Sequence, residues 1–341
     1  MDQTTTTFGG TRGLLAGLER LHAAGADALL GIVVATEGST YQKPGALVLL
    51  DRHGLRHGVI SGGCLEPELE GRAAAIFASG RATLVDFDTR SDEDLVFGSG
   101  TGCRGRVHLL LLPQPTGAPL AQALREAAQD GTTLHLALTL DADETGAGSA
   151  WVAARPDMPQ RRWHWDSRGA ALAAPAVAAS AQLQIAAPPR IALLGAGPET
   201  PALLDIARRF GWFVDVVEHR RRWSAFARAA QAGNLLELAP VAAAVELERH
   251  RIDAAIVMSH NYAIDAQHLR FCARGTIGYV GLLGPPARRD ALLAELGTDA
   301  DLLRGRLRAP VGLDLGGSGP EAIALAIAAE LQQFFAARRD D

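Results

Sequence analysis

The sequence predicts an α/β protein in two parts, an N-terminal α/β domain followed by a C-terminal domain built on a parallel sheet. Three observations predict it. Short apolar runs of strand length alternate with helical patterns along the second half of the chain. One of those strands runs directly into Gly195-Ala196-Gly197 and then into a helix. Pro188-Pro189 interrupts both helix and sheet, and so divides the chain into residues 1–188 and 189–341.

In the first part, Arg12–Gly25 carries leucines at three- and four-residue steps and predicts a helix. Leu29–Thr36 and Ala46–Leu50 predict strands, separated by the polar loop Glu37-Gly38-Ser39-Thr40-Tyr41. Asp51–Gly54 has the composition of a turn, and Gly58–Ser61 leads into Gly62-Gly63-Cys64. Glu66–Ser79 predicts a helix, and Thr83–Phe87 and Arg106–Leu112 predict strands around the glycine-rich loop Phe97–Gly105. Further on, Leu120–Gln129 predicts a helix, and Leu134–Leu140 with Ala150–Ala154 a hairpin. Gln160–Ser167, with His164 between Trp163 and Trp165, predicts a strand with aromatic cross-strand contacts. In the second part, strands are predicted over Ile191–Leu194, Phe213–Val217, Ile252–Met258 and Ile277–Leu282. Helices are predicted over Pro201–Phe210, Ala225–Ala232, Ala263–Arg274 and Ala287–Leu296.

Composition excludes several classes. The 341 residues are 48% hydrophobic, enough for two packed cores, and the net charge of -5 is spread without long runs. A nucleic-acid surface needs clustered Lys and Arg, which are missing. Met1–Gly10 is polar and Thr-rich, unlike a secretory signal, and apolar runs such as Val107–Pro113 are far too short to cross a bilayer. These features predict a cytoplasmic protein with no membrane partner. Three cysteines, Cys64, Cys103 and Cys272, make no disulfide framework and no C-x-x-C pair. Cys272 lies in a helical run beside Leu269 and Phe271, which predicts a core position.

The segment after Pro189 has the order of a Rossmann-like nucleotide-binding domain: strand, G-x-G, helix, strand, acid. Gly195 serves the tight turn, Gly197 the close approach of a pyrophosphate, and Glu218, about 20 residues on, a ribose hydroxyl. Thr200 stands where the third glycine of the fingerprint belongs, and Pro198 removes one N–H from the turn. Arg220, Arg221 and Arg222 follow Glu218 closely, so NAD, NADP or another nucleotide stays open, as does a Rossmann-shaped domain with an altered site.

In the first part, Glu37-Gly38-Ser39-Thr40, Ser61–Glu66 and Gly98–Gly105 each place glycines at a strand end. Such loops offer main-chain N–H donors with little side-chain obstruction, which suits an anionic or heteroatom-rich ligand. Cys64 and Cys103 lie inside two of them, where a thiol ionises more readily than in a core and suits soft metals and sulfur transfer. Candidate ligand-binding residues are Glu37, Gly38, Ser39, Lys43, Ser61, Gly62, Gly63, Cys64, Glu66, Gly100, Gly102 and Cys103, with Cys64 and Cys103 also the candidate metal-facing thiols. Lys43 could neutralise a phosphate, and Glu37 and Glu66 could accept from ligand amino groups. The alternative is a set of tight turns with inert thiols, a surface lysine and loop-capping acids.

These segments also resemble a known family. Ala35–Ala46, Ile60–Glu66 and Phe97–Cys103 look like the three N-terminal motifs of the XdhC/CoxI family of xanthine dehydrogenase accessory factors. Gly195-Ala196-Gly197 with Val217-Glu218, Tyr279–Gly284 and Pro310–Gly316 resemble its C-terminal ones, so the likeness runs from about Leu14 to Phe335. The resemblance implies binding of molybdenum cofactor, as molybdopterin or its dinucleotide form, and help with its sulfuration and insertion into a xanthine dehydrogenase-type apoenzyme. It also implies a cysteine desulfurase partner, a homodimer, and a cofactor-binding chaperone rather than a catalyst. The sequence departs from the family pattern at Pro198, Glu218, His260-Asn261 and Pro285-Pro286-Ala287-Arg288, all in the second part. The competing readings are an NAD(P)-dependent oxidoreductase and a scaffold without cofactor. For the former, only His260-Asn261 follows a strand in a suitable place, and Asn261 cannot exchange a proton as an acid does.

Overall fold

A computed structural model describes residues 9–63, 65–90, 105–141, 145–154, 159–175 and 178–338. The chain divides into two compact units, Met1–Ala187 and Pro188–Asp341, at the Pro188-Pro189 pair.

The first unit opens with helix α1 (Gly10–Ala23), then β1 (Leu29–Gly38), β2 (Leu47–Asp51), β3 (Gly54–His57), α2 (Glu66–Ser79), β4 (Thr83–Asp88) and β5 (Gly105–Pro113). The five strands form one antiparallel sheet in the order β3-β2-β1-β5-β4. The apolar start of β1, Leu29–Val34, is buried throughout because both sheet faces are covered. On one face Leu69, Ala73 and Ile76 of α2 pack against Val85, Phe87, Val107, Leu109 and Leu111. Asp51-Arg52-His53-Gly54, expected as a turn alone, also starts β3, so the hairpin is longer than its composition suggested.

A bulge between Val33 and Ala35 interrupts the β1–β5 ladder. Side chains alternate along a strand, so one extra residue moves everything beyond it to the other face. Glu37 thereby pairs with Arg106, and Asp88 and Asp86 of β4 pair with Arg106 and His108. All five share one face.

The rest of the unit is α3 (Pro119–Asp130) and a second antiparallel sheet, β8-β7-β6-β9, made from β6 (Leu134–Leu138), β7 (Gly148–Val152), β8 (Arg161–Trp165) and β9 (Ala181–Ile185). Alternation along these strands buries Leu134, Leu136, Leu138, Ala150, Val152 and Trp165. The Trp165 indole Nε1 donates to the Gly146 carbonyl at 2.8 Å. His135 stacks on Trp151 across the β6–β7 pair.

The second unit alternates strand and helix: β10 (Arg190–Leu194), α4 (Thr200–Phe210), β11 (Phe213–Val217), α5 (Arg221–Ala229), β12 (Asn234–Leu236), α6 (Pro240–Leu247), β13 (Ala254–Val257), α7 (Tyr262–Arg274), β14 (Tyr279–Leu282), α8 (Pro286–Leu296), a 3-10 turn (Gly297–Leu303), β15 (Leu307–Arg308) and α9 (Pro320–Ala337). All pairings are parallel, in the order β12-β11-β10-β13-β14-β15. That is the Rossmann order 3-2-1-4-5-6, with the switch point between β10 and β13. Helices α4, α5 and α9 bury residues on one face, and α6, α7 and α8 on the other. Cys272 lies wholly inside the second layer, and burial pushes its thiol up to about 12. The Arg306 guanidinium closes the carboxyl end of α7, donating to the carbonyls of Ala273, Gly275 and Ile277. Strand β12, three residues long, is too short for periodicity to reveal.

The sheet of the first unit depends on close strand approach at Gly31, where a Cβ would stand 2.5 Å from Val48 Cγ2 and 3.2 Å from Leu111 Cδ2. Gly31→Val should therefore lower the unfolding free energy by roughly 1–3 kcal/mol, as overpacked cores do. Urea denaturation measures this, and an unchanged midpoint would show that the strands separate freely.

Candidate functional site

Each unit carries a glycine-rich edge. In the first, antiparallel pairing brings the C-terminal ends of β1, β3 and β4 and the starts of β2 and β5 to the same edge of the sheet. The three loops singled out from the sequence all begin or end there. Gln42 donates through Nε2 to the Val59 carbonyl at 3.0 Å, joining the first loop to the second. A Cβ on Gly105 would stand 2.4 Å from the Ser39 carbonyl oxygen, so the end of the third loop lies against the first. Thr89 N–H donates to the Gly105 carbonyl at 3.0 Å and closes the base of the third loop. The residues Gly100, Gly102, Cys103 and Cys64 lie outside the described part of the chain.

The second loop is built around Glu66. Its Oε1 accepts the N–H groups of Ile60 at 3.1 Å and Ser61 at 3.0 Å, and its Oε2 accepts the Ser61 hydroxyl. Ser61 Oγ in turn accepts from the N–H groups of Gly63 and Leu65, each at 3.1 Å. Burial pushes the Glu66 carboxyl up, but the hydrogen bonds from Ser61 and the main chain outweigh it and leave the pKa lowered. Glu66 also stands in the first turn of α2, where a negative charge is favoured. Of the two readings open for Glu66, the geometry corresponds to the loop cap. Gly62 and Gly63 are exposed, Gly63 has φ 111°, and a Cβ on either would meet nothing within 4 Å. Gly38 (φ 67°), Ser39 and Lys43 are exposed beside them.

Beside the loops lies a set of charges that motif reading missed. Arg90 donates to Glu37 Oε2 and pairs with Asp88 Oδ2, both at 2.6 Å. Arg106 donates through Nε to Asp86 at 2.8 Å, with Glu37 Oε1 at 4.0 Å from its Nη1. His108 Nε2 stands 3.7 Å from Glu37. The Arg90 hydrogen bond holds Asp88 at about 2, and that from Arg106 lowers Asp86. The signal in the sequence is the alternation Asp86-Phe87-Asp88 and Arg106-Val107-His108, whose charged members face away from the α2 core. Among the described residues no group of three or more His, Cys, Asp or Glu is placed to hold a metal ion.

The second edge is the switch point. Gly195 ends β10 with φ 109°, and a Cβ there would stand 2.3 Å from Ser259 Cα, so glycine is required. The turn's donors are engaged: Ala196 N–H donates to Glu218 Oε2 at 3.1 Å, and Gly197 N–H to Thr200 Oγ1 at 2.9 Å. Pro198 has no N–H to offer. Glu218, placed by sequence at a ribose, is 2% exposed. Its two oxygens accept from Ala196, from the Arg220 main chain and from the Arg220 guanidinium. Burial opposes ionisation of Glu218, yet the Arg220 and main-chain bonds bring its pKa below the usual carboxylate value. His260, at φ 56°, places Nε2 3.4 Å from the buried Glu199 carboxylate. That contact raises the imidazole pKa and lowers that of Glu199. Behind them Asp265, fully buried, accepts from Ser259 N–H at 3.1 Å and from Arg288 at 2.7 Å. Asn261 Oδ1 caps α7 by accepting the Ile264 N–H. Gly195, Gly197 and Glu218 are thus brought together as the sequence suggested, but their ligand-facing groups bond to the protein itself. These residues do not fit a dinucleotide pyrophosphate.

The fold defines a two-unit α/β protein whose second unit is a Rossmann domain. The family model described as the XdhC Rossmann domain matches residues 191–331, and that described as the XdhC and CoxI family matches residues 21–88. The chain belongs to the XdhC/CoxI family. It is 29% identical over 318 residues to a Bacillus subtilis (strain 168) protein named as a probable subunit of xanthine dehydrogenase, covering 90% of this chain and 93% of that one. A solved structure described as a xanthine dehydrogenase from Bacillus halodurans has the same fold, with a TM-score of 0.73 at 23% identity over 96% of both chains. No helix among the described residues is long and apolar enough to cross a membrane.

The Glu66 cap carries a pH prediction. Its folded pKa is depressed from 4.5, so its contribution is present above about pH 4.5 and is lost as pH falls through the folded value. Compared with Glu66→Gln, the parent should be more stable by on the order of 1 kcal/mol at pH 7, after allowance for solvent screening. The difference should shrink below pH 4.5. Urea melts at several pH values measure it. A difference that grows on acidification would show that Glu66 folds protonated.

Proposed function

We propose that this chain binds molybdenum cofactor at the loop edge of the five-stranded sheet and assists its sulfuration and insertion into a xanthine dehydrogenase/aldehyde oxidase-type molybdoenzyme. The observation that carries the reading is that the strand ends flanking the three motif segments meet at one edge, through the order β3-β2-β1-β5-β4. Family membership supports it, and the name of the Bacillus subtilis relative supports a xanthine dehydrogenase partner. When bound, the cofactor supplies an anionic phosphate and a soft, sulfur-bearing metal centre. The described residues suit such a group. Gly62 and Gly63 leave open space for main-chain approach, on a loop that Glu66 and Ser61 hold in shape. Lys43 is exposed at the same edge and supplies positive charge, and Glu37 and Ser39 supply polar side chains, with Arg90 and Arg106 engaged by Glu37, Asp86 and Asp88. Gly38, Gly100 and Gly102 extend the main-chain surface, and Cys64 and Cys103 provide the thiolates for the metal or for sulfur in transit.

The same reading gives the chain a cysteine desulfurase as sulfur source, a homodimeric state and a cytoplasmic site of action. It makes the chain a chaperone for its cofactor rather than a catalyst. An NAD(P)-dependent oxidoreductase finds no support at the switch point, where Asn261 caps a helix and the turn donors are engaged.

The test is elemental and pterin analysis of the protein purified from a cofactor-producing host, with activation of a client apoenzyme measured in parallel. Molybdenum and pterin should co-purify. Cys64→Ala and Cys103→Ala should each lower client activation by on the order of tenfold, the scale on which metal-site substitutions act. A parent protein without molybdenum or pterin overturns the cofactor reading. Variants that retain and deliver cofactor like the parent overturn the role of the thiols.

A further inference from the structure

We propose that Glu199 occupies, in the Rossmann domain of this chain, the place where the fold otherwise takes a nucleotide phosphate, so that the turn Gly195–Thr200 is closed to dinucleotides. A Rossmann turn binds pyrophosphate because N–H groups at the start of the first helix point outward with no acceptor of their own, and because the second glycine leaves room beside them. Both conditions fail here. The donors of Ala196 and Gly197 have acceptors in Glu218 and Thr200, and Pro198 has no donor. The room beside Gly197 is filled: a Cβ there would stand 2.6 Å from His260 Nε2 and 2.9 Å from Glu199 Oε2. The two side chains standing over the glycine are therefore partners of each other, and their contact raises the His260 pKa and lowers that of Glu199.

Charge leads to the same result. Glu199 is the N-cap residue of α4, so its carboxylate already complements the positive end of that helix. Glu199 and Glu218 are 5% and 2% exposed, and their bonding partners keep both ionised. A pyrophosphate entering the turn would stand against two buried carboxylates. The His260 imidazole and the Arg220 guanidinium are turned to those same carboxylates. Glu218 also has no oxygen left over for a ribose. The closure extends to the nucleotide end of a pterin dinucleotide, and leaves cofactor binding to the first unit. It does not rest on the cofactor reading, because it concerns the second unit alone.

Calorimetric titration of the full chain with NAD, NADP and ADP tests it. The parent should show no binding up to about 1 mM of each nucleotide. Removing the internal anion leaves Ala196 and Gly197 bonded to Glu218 and Thr200 but frees His260 and the space beside Gly197, so Glu199→Ala should bind ADP and inorganic phosphate at least about tenfold more tightly than the parent. Glu199→Gln keeps the side-chain shape and removes only the charge, so it gives a folded variant even if Glu199→Ala is unstable, and it should gain phosphate affinity in the same direction. Micromolar binding of NAD, NADP or ADP by the parent overturns the proposal. So does a pair of folded Glu199 variants with no gain in phosphate or ADP affinity, because the position would then hold no competing anion.

Discussion

Glu66 accepts the N–H groups of Ile60 and Ser61, and Glu218 accepts that of Ala196. In both units a carboxylate turns inward at a glycine-rich strand end and takes up main-chain donors. The underlying constraint is general. A glycine turn leaves N–H groups without the ladder or helix partners that strands and helices supply, and a buried donor left without an acceptor costs about 1–3 kcal/mol. Something must accept, whether water, a ligand or the protein's own side chains. The identity of that acceptor determines what each edge of this molecule can do.

At the edge of the first unit the internal acceptors reach the N–H of Gly63, but no side chain among the described residues fills the space over the loop. Glu66 and Ser61 hold the base of the loop, while Gly62 and Gly63 stand in open space. The surrounding charges lie on the face of β1, β5 and β4 opposite the α2 core, where Arg90 and Arg106 are interleaved with Glu37, Asp86 and Asp88. Exposed ion pairs of this kind contribute little stability, of order 0–1 kcal/mol each, so their arrangement is not needed to hold the sheet together. At the edge of the second unit the corresponding space is filled. Glu218 and Thr200 take up the N–H groups of Ala196 and Gly197, and Glu199 and His260 fill the space over Gly197. The two edges look alike in sequence and are opposite in chemistry.

Much of this molecule follows from local pattern. The helix at Glu66–Ser79 begins with acidic residues and ends at Gly80, which has φ 63° and so takes the left-handed conformation that terminates helices. The strands Ile191–Leu194 and Phe213–Val217, the glycine turn between them, and the break at Pro188-Pro189 are each set by residues within a few positions. Helix α9 is not among the predicted helices, although Ala324, Ile327, Ala328, Leu331 and Phe335 recur at helical spacing and pack on one face of the sheet. The motif likeness places the three N-terminal loops at strand ends, because glycine clusters interrupt both regular structures wherever they occur.

The class of fold, the two units and the segments that carry chemistry are therefore readable from residue order, because they rest on periodicity and on the backbone properties of Gly and Pro. How those segments are used is settled in three dimensions. The antiparallel order that gathers the strand ends flanking these loops at one edge is a matter of non-local pairing, which no local window contains. The bulge between Val33 and Ala35 moves Glu37 to the face of Arg106 and His108, and a shift of one residue in register leaves no mark on composition. At the second edge, Gly195, Gly197 and Glu218 have the spacing of a dinucleotide site. Whether there is room for a ligand over that turn depends on His260 and Glu199, 61 residues apart in sequence and 3.4 Å apart in space.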